Sequence, residues 1–226
     1  MKPSYYTNRI PMSVRATRLF HPSSIQKALV AAWPAWLVAA VCVVAALGGA
    51  GWHDALEYNR AAILGGEWWR IVTGNIVHMG TDHLLMDLAG MALLWILCAP
   101  VLAGWRWLAA TAVGMVAVGV GLLLFDPSVA WYVGISGVLE TYWAAGAILL
   151  IARRYREGWL LLAALVAKAV WEQTMGPVPL SEATAGGPVV VAAHLWGSIG
   201  GLIVGFALLL AFPLGRHSKI DLKESL

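Results

Sequence analysis

Long apolar runs broken by short polar stretches dominate the chain. A helix of about 20 apolar residues crosses the ~30 Å hydrocarbon layer of a bilayer. Six such spans are read at 30–50, 83–102, 105–124, 133–151, 159–171 and 189–212. The first is longer than the apolar core of a signal peptide, so a retained helix is expected rather than a cleaved leader. Between the first two runs the pattern changes. From 51 to 81, Trp52, His53, Asp54, Glu57, Arg60, Glu67, Trp68, Trp69, Arg70 and His78 alternate with apolar residues. Nothing there is continuously apolar enough to span, and tryptophan suits the membrane interface, so this segment is expected to lie half-immersed in the outer headgroup layer.

Composition fixes the solvent. With 60% hydrophobic and 12% charged residues in 226, and a mean hydropathy of +0.75, the chain cannot make a soluble domain with a polar surface. It is read as an all-α integral membrane protein with membrane lipid around it. The net charge of +3 matters less than where the basic residues fall. Lys2, Arg9, Arg15, Arg18 and Lys27 precede the first span, Arg106 separates the second from the third, Arg153, Arg154 and Arg156 follow the fourth, and Arg216, Lys219 and Lys223 follow the sixth. The breaks near Asp126 and over 172–188 carry neither Lys nor Arg. By the positive-inside rule both termini are expected in the cytoplasm. Tails at 1–27 and 213–226 then flank one six-helix domain at 28–212. Nothing supports nucleic-acid binding, and Cys42 and Cys98 sit in apolar runs without metal-ligand spacing.

That orientation assigns a depth to each polar residue inside the spans. At 1.5 Å per residue, His83, Asp87, Ser136, Glu140 and His194 fall within roughly 5–12 Å of the outer surface. Lys168 and Glu172, on a span running the other way, reach the same layer. Polar groups in a bilayer are expensive, and convergence on one level makes them functional suspects. Each also has a plain structural reading. His83 and Asp87, four apart, can satisfy one another, and Lys168 and Glu172, also four apart, can form a salt bridge. Ser136 between Gly134 and Gly137, and His194 with Gly197 and Gly201 on its face, fit close helix packing. Two histidines with Asp and Glu would also suit zinc, although no H-E-x-x-H motif is present. A transporter would place its charges nearer the bilayer midplane. The chemical reading is nucleophilic catalysis: His194 takes the proton of Ser136, while His83 and the Ser136 backbone N–H serve a developing oxyanion.

Trp69-Arg70, Thr73, His78, His83-Leu84-Leu85-Met86-Asp87, Gly134-Ile135-Ser136-Gly137 and Ala193-His194-x-x-Gly197-x-x-x-Gly201 resemble, in order and spacing, the signature of rhomboid intramembrane serine proteases over about 60–210. The resemblance implies a six-transmembrane-helix rhomboid fold, Ser136 as nucleophile and His194 as general base in a dyad without an acid. His83 resembles the family's oxyanion-hole histidine, and Arg70 and His78 its structural first-loop residues. No metal and no cofactor are expected. Two positions depart from the family pattern: Asp87 stands where Asn is usual, and Glu140 where many bacterial members carry an aromatic residue. A carboxylate does not donate to an oxyanion unless protonated. Asp87 is expected to be neutral, to orient His83, or to steady the imidazolium. Glu140, the Asp87-Leu88-Ala89-Gly90 turn and Lys168-x-x-Trp171-Glu172-Gln173 look like the rhombosortase branch. That branch implies a bacterial inner-membrane protein with its active site facing the periplasm, and transmembrane substrates bearing a C-terminal glycine-rich sorting tail. The alternative is a rhomboid-like protein that binds transmembrane helices without cutting them.

Overall fold

A computed structural model describes residues 30–212. The expected cytoplasmic tails, with the basic residues at both chain ends that argue for their side, lie outside these.

The first apolar run forms α1, Trp33–Leu47, with Pro34 in its opening turn, where its missing N–H costs nothing. The run does not stay helical to residue 50. Gly48 and Gly49, the latter at φ +67°, end it, and α2, Gly49–Leu56, departs at 116°. The segment between the first two spans continues with β1 (Tyr58–Asn59), α3 (Arg60–Leu64) and α4 (Arg70–Thr73). The remaining runs give α5 (Thr81–Cys98), α6 (Trp105–Phe125), α7 (Ser136–Ala152), α8 (Glu157–Met175) and α10 (Val191–Ala211). β2 (Trp131–Tyr132) precedes α7, and the short α9 (Ser181–Ala185) precedes α10. The first expected span thus holds α1 and the start of α2, and each of the other five contains one helix, with boundaries that differ by a few residues.

Among the described residues three helices, α5, α6 and α10, are individually long and apolar enough to cross a membrane, and the bent α1–α2 pair would be a fourth. α7 is apolar but has 17 residues. α8 has 19, and Lys168, Glu172 and Gln173 lower its mean hydropathy.

α7 is the central helix. Eleven of its 17 residues are buried, distributed all round it, as expected for a helix with neighbours on every side. It packs on α5, α6, α8 and α10, most extensively on α10. The α7–α10 seam is lined with glycine. A Cβ on Gly197 would fall on the Gly137 carbonyl oxygen, and one on Gly201 would meet the Thr141 carbonyl. Thr141 Oγ1 donates to the Gly197 carbonyl across the seam at 2.8 Å. Small residues here bring two backbones close enough for short side chains to meet. α8 is peripheral by contrast, burying only Gly158, Leu165 and Glu172.

One feature lies outside an all-α description. β1 and β2 pair antiparallel, Tyr58 opposite Tyr132 and Asn59 opposite Trp131. Two-residue strands carry no readable alternation, so the pairing left no sequence signal. It ties this segment to the residues leading into Ser136, helped by Arg60 N–H to the Ala130 carbonyl at 3.0 Å and by a bond from Trp131 Nε1 to Glu57. Arg70 holds the same segment from beneath, donating to the carbonyls of Asp54 and Glu57 at 2.8 and 3.0 Å and pairing with Glu67 at 2.6 Å.

Candidate active site

Ser136 is the first residue of α7, half-buried, and its position follows from the chain before it. Tyr132 Oη donates to the Gly134 carbonyl at 2.5 Å, and Gly134 N–H donates to the Gly74 carbonyl at 3.2 Å. Burial pushes the Tyr132 phenol above its ordinary pKa, so it stays a protonated donor. Gly134 has φ +114°, and a Cβ there would press on the His83 ring and approach Asp87. Only glycine satisfies both the backbone conformation and the close approach.

Across the glycine seam, His194 Nε2 lies 3.1 Å from Ser136 Oγ. The other ring nitrogen, Nδ1, faces the Glu172 carboxylate at 2.9 and 3.0 Å from its two oxygens. Two carboxylate oxygens against a lone pair would repel, so Nδ1 carries the proton and Nε2 presents its lone pair to Ser136. Lys168 Nζ also approaches Nδ1, at 3.2 Å, while pairing at 2.8 Å with Glu172 Oε2 and at 2.8 Å with Glu140 Oε1. Glu140, Glu172 and His194 are all at least nine-tenths buried. The expected Lys168–Glu172 pair is thus present within a larger cluster joining α7, α8 and α10. The resemblance implied a dyad without an acid, whereas a buried carboxylate contacts the far side of His194. No spacing within one helix reveals that contact, because it forms between α8 and α10.

His83 and Asp87 form a second group beside Gly134. Asp87 Oδ2 accepts from the Ile135 N–H at 3.2 Å and lies 3.4 Å from His83 Nε2 and 3.2 Å from His78 Nε2. Met79 N–H approaches His83 Nδ1 at 3.5 Å, leaving the His83 proton on Nε2, toward Asp87. The His78 and His83 rings meet edge-on, with centroids 5.1 Å apart. Among the three roles anticipated for Asp87, this geometry favours orienting His83. Among the described residues no hydrogen bond or ion pair links it to His194.

A helical membrane protein that holds a half-buried serine against a histidine, at the start of a central helix and beside a second histidine, has the layout of an intramembrane hydrolase. The Rhomboid domain model matches residues 65–211. The chain belongs to the rhomboid family, whose members are intramembrane serine proteases. Among curated proteins none matches the chain.

Proposed function

We propose that this protein is an active intramembrane serine protease in which Ser136 attacks a peptide carbonyl and His194 takes its proton. One observation carries the reading: two side chains 58 residues apart meet at 3.1 Å, His194 Nε2 facing Ser136 Oγ. That separation lies within the reach required of a base and nucleophile. His83, beside Gly134, serves the oxyanion together with the Ser136 backbone N–H.

In this reading α1, α5, α6, α7, α8 and α10 are six spans with both termini cytoplasmic, in a bacterial inner membrane. The site then opens to the periplasm, and a substrate helix is cut near the outer surface. The resemblance to rhombosortases supports a narrower substrate: exported proteins anchored by a C-terminal glycine-rich sorting tail, released when that tail is removed.

The test is labelling of the purified protein with a fluorophosphonate, alongside cleavage of a reporter carrying such a tail in liposomes. Wild type is expected to label on Ser136 and to cut the reporter. Ser136→Ala and His194→Ala are expected to do neither while keeping their melting temperature. Cleavage by Ser136→Ala would end the reading. One observation favours a second reading: Asp87 lies 3.4 Å from His83 Nε2, engaging a donor that the oxyanion needs. A helix-binding protein without protease activity would bind anchored clients equally well after loss of Ser136 and His194.

A further inference from the structure

We propose that Glu172 completes a Ser136–His194–Glu172 triad, held in place by a Lys168 clamp to Glu140; this rests on the protease reading above. Glu172 is a positioning residue in this scheme. It touches His194 and not the substrate.

Three observations carry the assignment. First, the carboxylate meets Nδ1 with both oxygens, at 2.9 and 3.0 Å, on the side of the ring opposite Ser136. That contact selects the tautomer that leaves Nε2 free to accept a proton. Second, Glu172 is one of only three buried residues on a peripheral helix, and it is 4% exposed. Third, Lys168 is held from two sides: Glu172 Oε2 and, from α7, Glu140 Oε1 each lie 2.8 Å from its Nζ, so the carboxylate that meets His194 is tied to α7 as well as to its own helix.

As the Oγ–carbon bond forms, the Ser136 proton moves to His194 Nε2 and the carbonyl electron pair moves onto oxygen. The imidazolium donates to Glu172 from Nδ1, and Glu172 remains a carboxylate. Collapse of the oxyanion breaks the C–N bond, and the Nε2 proton leaves with the amine. Water then attacks the acyl-Ser136 ester, giving its proton to Nε2. Collapse of this second oxyanion breaks the C–Oγ bond, the Nε2 proton returns to Ser136 Oγ, and the acid product departs. Lys168, fixed between two carboxylates on α7 and α8, keeps Glu172 from following the imidazole or rotating away from it.

The experiment compares full-length wild type with Glu172→Gln, Glu172→Asp and Ser136→Ala in liposomes, reading kcat and KM for an anchored reporter, the fluorophosphonate labelling rate, and the melting temperature. Glutamine keeps the volume and, through its amide donor, favours the wrong tautomer. Its kcat and labelling rate are expected to fall roughly 10²–10⁴-fold, with KM within about threefold because ground-state binding is untouched. Glu172→Asp keeps the charge and is expected to recover part of both rates. A merely structural glutamate would lower stability and leave kcat per folded molecule unchanged. A Glu172→Gln enzyme with near wild-type kcat, in preparations where Ser136→Ala is inactive, overturns the triad and leaves the protease reading standing. Should Glu172→Gln fail to fold, Glu172→Asp decides, since wild-type kcat with the carboxylate drawn back from Nδ1 also overturns it. Cleavage by Ser136→Ala would overturn the protease reading and the triad with it.

Discussion

Replacing Gly197 with alanine tests whether helix approach, rather than side-chain identity alone, makes the site. The added methyl would fall on the Gly137 carbonyl oxygen and within 3.3 Å of Glu140 Cβ. Neither neighbour can swing aside, because one is backbone and the other is the root of a buried side chain. The alanine can be accommodated only by separation of α7 and α10. Sliding is resisted along the seam, where Gly201 faces the Thr141 carbonyl, and sideways, where a Cβ at Gly200 would meet Ala117 on α6. Restoring ordinary contact takes a displacement on the order of 1 Å, and misplacement of reacting groups by that much costs about 10²-fold in rate. The Ser136–His194 separation, now 3.1 Å, would pass beyond the ~3.2 Å reach of productive proton transfer. Overpacking also costs ~1–3 kcal/mol of stability. Cleavage of a membrane-anchored reporter and the fluorophosphonate labelling rate would both report the loss. Gly51→Ala provides the control, since nothing lies within 4 Å of a Cβ there, and it should cost neither rate nor stability. A Gly197→Ala protein that cuts and labels like wild type would refute the claim that the seam sets the geometry.

Two further substitutions probe the approach to Ser136. Gly134→Ala meets both a positive φ and the His83 ring; strained backbone of this kind costs ~1–3 kcal/mol, so the variant should label far more slowly than wild type, and normal labelling would show that the turn relaxes freely. Tyr132→Phe removes the bond to the Gly134 carbonyl and should lower the melting free energy by ~1 kcal/mol, read by thermal unfolding in detergent, with a smaller loss of cleavage than Gly134→Ala; equal stability would mean that the strand pairing alone holds the turn.

The sequence made the helices legible because lipid imposes a simple rule: backbone polar groups must be satisfied within the segment, so an apolar run of sufficient length becomes a helix. That rule is silent on where a run breaks. Residues 30–50 read as continuous, yet Gly48 and Gly49 divide them and turn the chain by 116°. The polar residues were legible as a group because the expected orientation and the rise per residue assign them one level, and the structure does bring Ser136, Glu140, Lys168, Glu172 and His194 together. Their partners were not. The i, i+4 spacing of Lys168 and Glu172 invites a closed pair, and that pair forms; what spacing cannot carry is rotation about the helix axis, which turns Glu172 toward His194 and brings Glu140 to Lys168 from α7.

The glycines explain why rotation settled that way. α7 and α10 approach where Gly137 faces Gly197 and Thr141 faces Gly201. A glycine stripe fixes the face of each helix as well as its distance, because any other face would bring a side chain into the contact. With those faces set, Ser136 and Glu140, four apart on α7, point into the same groove between helices, and His194 lies three residues before Gly197 on α10. α8 closes the groove and contributes a cation and an anion four residues apart, which is the arrangement that can meet a carboxylate on one side and an imidazole on the other. The Ser136–His194 geometry therefore depends on residues with no functional groups. A glycine-to-alanine change at the seam should be more damaging to rate than removal of Glu140, whose loss leaves Lys168 still paired with Glu172.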